Sequence, residues 1–128
     1  MKRKSTDIEK IMRSILLNMS VDFKKEYKIG NYYVDFYLPK YNLSIQCDGC
    51  WFHLPKCNCL KIVKIYKRQL FQQRRDKACI AYHIYHNINI IRFKGCEIIN
   101  NSQEIFKKIQ SILKKISNGE VIHEYSKI

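Results

Sequence analysis

Two acids and an imidazole stand close enough in this sequence to serve one cation. Asp35 lies in the strand-like run YYVDFYL, Asp48 follows a second, YNLSIQC, and His53 comes shortly after. Strand alternation puts Tyr33, Asp35 and Tyr37 on one face of the first run, and Ser44, Gln46 and Asp48 on one face of the second. Pro39-Lys40 separates the runs, so a hairpin about residues 39–42 sets Asp35 across from Gln46 and Cys47. Hydrolysing a phosphodiester needs a hard cation to neutralise the phosphate and polarise a water, and Mg²⁺ takes one or two carboxylates plus waters. A nearby imidazole can carry the proton. On spacing alone a plainer account stands beside this one. Asp35 could pair with a lysine, Asp48 could open a turn with Gly49, and His53 could be a polar surface residue.

The elements that must hold these groups can be read from periodicity. Ile8, Ile11, Met12, Ile15 and Leu16 form a helical stripe, and Thr6 with Glu9 has capping-box spacing, so a helix is expected over about 6–19. A short strand at 24–29 and a tight Gly30-Asn31 turn lead into strands at 32–38 and 43–48. Residues 49–60 read as an irregular loop rich in ligand-type side chains. A helical pattern runs over 62–87, with a break expected near Gln72–Arg75. INIIRF (88–93) reads as a buried strand, and a helix follows from Ser102 to Gly119. The chain is thus expected to be one α/β domain, 1–128, with its core over about 5–117 and a loose tail at 118–128. Cys47 and Cys79 are expected to face the core; His83 and His86 are expected on a helix or helix-end surface.

Composition narrows the partners. With 46% hydrophobic residues the chain suits a globular fold, and no apolar run reaches the ~20 residues a membrane span needs. The expected compartment is cytoplasmic or nuclear, with no membrane partner. A net charge of +13 fits a nucleic-acid partner, although the richness in Ile, Lys, Asn and Tyr is also what an A+T-rich coding sequence produces. Lys56 in the ligand-rich loop, and Arg74 and Arg75 beyond it, lie next to the proposed site and could grip phosphates. Of the six cysteines, Cys50, Cys57, Cys59 and Cys96 surround the candidate site, which favours thiolate–metal bonding in a reducing compartment over disulfides; free buried cysteines are the plainer alternative.

The same residues resemble a known family. Glu9 in DIEKIMRSIL, Asp35 in VDF, Asp48-Gly49-Cys50, Trp51-Phe52-His53 and Asp76 in Arg74-Arg75-Asp76 recur in an order similar to that of the very short patch repair endonucleases. The related homing endonucleases of the EDxHD type share the pattern. Both are branches of the restriction-endonuclease-like, PD-(D/E)XK fold, and the resemblance covers roughly residues 5–98. It implies an αβββαβ core with a mixed sheet, a C-terminal helix, and a Mg²⁺-dependent, strand-nicking DNA endonuclease. It implies further that Asp35 would be the principal Mg²⁺ ligand, helped by the backbone carbonyl of Cys47. His53 would be the general acid/base, Glu9 would reach metal-bound waters, and Asp76 would support the histidine or the water. For Glu9 the capping box, and for Asp76 a surface ion pair, remain the plainer roles.

Departures from the pattern matter too. Asp48 stands where the repair enzymes carry a second histidine and could be an added Mg²⁺ ligand. Gln46 stands where many relatives of the wider fold place a glutamate, and position 48 holds no lysine, which favours a histidine-based mechanism. The repair enzymes hold a structural zinc; Cys50, Cys57 and Cys96 match three of its ligands. Pro55 falls at the fourth, so Cys59 is the substitute in a Cys₄ Zn²⁺ site. Trp51 and Phe52 match a pair of aromatics that wedges between bases; packing of the zinc loop is the alternative. The expected state is a monomer on DNA with no small-molecule cofactor. Two other readings are a catalytically inactive, zinc-stabilised DNA-binding module, which Gln46 favours, and a homing endonuclease of a mobile element.

Overall fold

The helical stripe and the strand alternation both find their partners in one sheet. The computed structural model describes residues 7–49 and 67–124. Helix α1 (Asp7–Asn18) buries Met12, Ile15 and Leu16 and ends where Ser20 turns into the left-handed region at φ 56°. Strands β1 (Lys24–Ile29) and β2 (Tyr32–Leu38) form an antiparallel hairpin. Its turn residue Gly30 has φ 59°, and a Cβ there would lie 2.6 Å from the Tyr82 ring. Both the backbone angle and the close approach therefore require glycine.

A single 3₁₀ turn, Pro39–Tyr41, returns the chain into β3 (Leu43–Asp48), antiparallel to β2. Helix α2 (Lys67–Tyr85) then leads to β4 (Asn89–Lys94), which lies parallel to β3. Helices α3 (Gly95–Asn100) and α4 (Ser102–Ser117) follow, and β5 (His123–Glu124) adds in parallel to β4. The strand order is β1-β2-β3-β4-β5 in one mixed, five-stranded sheet.

Alternation sorts the two faces of that sheet. Phe36 and Leu38, Leu43, Ile45 and Cys47, and Ile91 and Phe93 point into the core with Met12 and Leu16 of α1, Ile98 of α3 and Ile105, Ile109 and Ile112 of α4. The intervening residues Ser44 and Arg92 point the other way and meet α2. Helices thus cover both faces, and the polar side chains between β3, β4 and α2 are enclosed. No helix of the described residues is long and apolar enough to cross a membrane.

Four sequence expectations need correction. Helix α2 runs unbroken through Gln72–Arg75. Gln and Arg are good helix formers, and the Gln72 amide bonds Asp76 one turn on at 2.9 Å. The N-terminal part of the expected helix, 62–66, lies outside the described residues. Helix α3 was not foreseen. The expected loose tail instead docks: Ile122 is buried, its N–H donates to Asn89 Oδ1 at 2.8 Å, and its carbonyl accepts from Ile90 N–H at 2.9 Å. Finally, His83 is fully buried. It lies one helical turn from Cys79 on the face α2 turns to the sheet, where Ser44 receives it.

Candidate active site

The pairing of β2 with β3 covers Leu38↔Leu43, Tyr37↔Ser44 and Phe36↔Ile45, and ends there. Beyond it, side chains replace the backbone ladder. The Asp35 N–H donates to Gln46 Oε1 at 2.9 Å, and Gln46 Nε2 donates to the Tyr33 carbonyl at 3.3 Å. The Cys47 N–H in turn donates to Asp35 Oδ2 at 2.7 Å. The two strands therefore splay into a fork, and the half-buried Asp35 carboxylate sits at its opening. A charge-assisted bond to backbone fixes that carboxylate more firmly than a bond between neutral groups would.

Deeper under α2 lies a second acidic group. Arg92 forks on Asp48, with Nε to Oδ2 at 2.9 Å and Nη2 to Oδ1 at 2.6 Å. The same Nη2 lies 3.1 Å from Asp76 Oδ1, which also accepts from Gln72. The side chains of Arg92 and Asp76 are only 4% and 6% exposed. Burial alone would lower the Arg92 pKa, but Asp48 and Asp76 together hold it above its ordinary value. The arrangement pins the end of β3, the middle of β4 and the middle of α2 to one guanidinium.

Arg92 escaped the sequence reading. The available signal was a charge inside the apolar run INIIRF: a guanidinium on a buried strand must find carboxylates. Both Asp48 oxygens accept from Arg92, so ligation of a cation by Asp48 would compete with this fork.

A buried imidazole completes the face. His83 Nδ1 lies 2.7 Å from the Cys79 carbonyl, which can only accept, so Nδ1 carries the proton and Nε2 accepts from the Ser44 hydroxyl at 2.8 Å. Desolvation lowers the His83 pKa, which keeps the ring neutral, and burial pushes the Cys79 thiol up to about 11. Fully enclosed, this Ser–His pair is a satisfied core contact with no path for a substrate.

The other candidates divide by position. Glu9 is buried in the first turn of α1. Its neighbour Ile8 lies near Gly95, where a Cβ would come within 3.3 Å of the Asp48 carbonyl and 3.4 Å of Ile8, so α1 begins at the end of the sheet where β3 ends. Arg74 and Arg75 are exposed, Arg75 over the Tyr32 ring at 5.7 Å. Cys96 lies half-buried in the first turn of α3. Cys50, Trp51, Phe52, His53, Lys56, Cys57 and Cys59 lie outside the described residues. Among the described residues no three His, Cys, Asp or Glu side chains gather as a metal cage, so no zinc site is present among them. A single fixed carboxylate such as Asp35 is within what Mg²⁺ accepts, since that ion keeps several of its waters.

No family model and no curated protein matches the chain. A solved structure does: the catalytic domain of the homing endonuclease I-Bth0305I, with a TM-score of 0.65 at 19% identity, over 88% of this chain and 98% of that one. The antiparallel hairpin feeding a β3–α2–β4 crossover is therefore a fold shared with a homing endonuclease catalytic domain.

Proposed function

We propose that the protein is a Mg²⁺-dependent DNA endonuclease of the restriction-endonuclease-like fold that hydrolyses phosphodiester bonds at the β2–β3 fork. The observation that carries this reading is the fork itself, which fixes the Asp35 carboxylate beside the backbone of Cys47. Its support is the fold shared with a homing endonuclease catalytic domain and the basic balance of the chain.

In this reading Asp35 and the Cys47 carbonyl hold the cation. A bound Mg²⁺ would neutralise the scissile phosphate and lower the pKa of an attacking water. His53 moves the proton, Glu9 orients water from α1, and Asp76 supports that exchange. Asp48 acts through Arg92, as a brace of the β3 end. Trp51, Phe52, Lys56, Arg74 and Arg75 contact DNA. Strand nicking in the manner of very short patch repair follows from the sequence resemblance, as does a structural Zn²⁺ on Cys50, Cys57, Cys59 and Cys96. A second reading, the catalytic part of a mobile element's homing endonuclease, is favoured by the I-Bth0305I likeness.

Supercoiled plasmid incubated with the protein tests the proposal. Nicking that requires Mg²⁺ and vanishes in His53→Ala supports it; tight binding without cleavage would instead identify an inactive DNA-binding module. Metal analysis of the purified protein should find about one zinc per chain, and a metal-free folded preparation would remove the zinc.

A further inference from the structure

The β1–β2 hairpin that presents Asp35 carries four tyrosines, and they are not equivalent. Tyr27 and Tyr37 cover each other, their rings stacked at 4.5 Å and 8°, and the Tyr37 hydroxyl donates to Asn42 at 2.6 Å. Tyr32 lies under the Arg75 guanidinium and beside Tyr82. Tyr33 differs. It is 64% exposed, and among the described residues its ring meets no other ring, ion or hydrogen-bonding group.

Its position is nonetheless fixed. Gln46 donates to the Tyr33 carbonyl and accepts from the Asp35 N–H, so one side chain clamps the backbone that carries both the ring and the carboxylate. Residues two apart on a strand share a face and lie about 7 Å apart. Lys28 is the exposed cross-strand partner of Tyr33, so one positive charge starts beside the ring on the same face; Lys24, opposite Tyr37, lies over the Tyr27 ring at 5.6 Å. An exposed aromatic ring with a lysine beside it is what a nucleic-acid strand needs: a ring for a base and an ammonium group for a phosphate. A base inside an intact duplex has both faces covered by its neighbours. Only an unstacked, unpaired or terminal base can lie on this ring.

We propose that Tyr33 is the stacking platform for a base displaced next to the scissile phosphate, so the fork takes single-stranded or locally unpaired DNA in preference to intact duplex. This rests on the nuclease reading for the position of the phosphate. Binding, however, is measured without cleavage. A labelled 16-nucleotide single strand and the matching blunt duplex are titrated without divalent cations, by fluorescence anisotropy, against wild type, Tyr33→Ala and Tyr33→Phe. Tyr33→Ala should weaken single-strand binding roughly five- to hundredfold, leave duplex binding within about twofold, and be rescued by Tyr33→Phe. Lys28→Ala should reduce the salt dependence by about one phosphate contact. Equal affinities of Tyr33→Ala and wild type for the single strand, or equal losses on both DNAs, would overturn the proposal. A protein that stacks DNA on Tyr33 yet never cleaves would sink the nuclease reading and leave the stacking role of Tyr33 standing without a scissile phosphate beside it. Cleavage with Tyr33-independent binding would do the reverse.

Discussion

Replacing Arg92 by methionine tests whether the buried network under α2 holds the site end of the sheet together. The substitution keeps much of the side-chain volume but removes the cation from between Asp48 and Asp76, whose side chains are 13% and 6% exposed. Breaking a buried pair leaves uncompensated charge, at a cost of roughly 3–5 kcal/mol. Here two carboxylates lose one guanidinium, which places the expected loss in the upper part of that range. A domain of this size shifts by roughly 4 °C per kcal/mol, so Arg92→Met should melt about 16–20 °C below wild type. Thermal unfolding followed by far-ultraviolet circular dichroism reads this directly. Because the penalty comes from stranded charge and not from lost volume, Asp76→Asn in the Arg92→Met background should recover part of the loss. The introduced amide can still accept from Gln72, so the double variant melts higher than Arg92→Met alone, a non-additive cycle. A melting point for Arg92→Met within about 4 °C of wild type, or a double variant that melts lower still, would refute the reasoning.

Two other substitutions probe the groups packed around the fork. His83 is held neutral with a pKa below its ordinary 6.5, so the unfolded chain takes up the proton first as pH falls. Its contribution is fully present above pH 6.5 and declines below it. Urea midpoints at pH 8 and pH 5.5 should show that decline in wild type and a smaller one in His83→Gln. Gln46→Leu removes both the acceptor of the Asp35 N–H and the donor to Tyr33, and should cost about 1–3 kcal/mol by chemical denaturation. It should also lower DNA cleavage more than that loss of folded protein explains.

The architecture could be read where a pattern has one physical meaning. The alternation of YYVDFYL leaves Val34, Phe36 and Leu38 no place but the core, and Pro39 followed by Asn42 in the left-handed region sets the hairpin register. That register is why Asp35 could be placed opposite Gln46 and Cys47, where the hydrogen bonds put it. What was hidden is long-range. The ion pairs of Arg92 in INIIRF could not be read because its partners, Asp48 and Asp76, lie on other elements. His83 looked like a polar helix residue, because the Ser44 hydroxyl that donates to its Nε2 comes from a strand 39 residues away. The two-residue strand β5 has too few positions to show a period, and only its pairing with β4 reveals it. Gln46 looked like a lost acid. Its amide donates and accepts across the fork, which a carboxylate cannot do.

The most direct measurement is single-turnover cleavage of a labelled DNA duplex carrying one unpaired base, with Mg²⁺, by Asp35→Asn. The amide oxygen of that variant can still accept from the Cys47 N–H, so the fork should survive, as circular dichroism and unchanged DNA affinity would show. The account predicts a rate reduced by about 10²-fold or more. A folded Asp35→Asn variant that cleaves at the wild-type rate would contradict it.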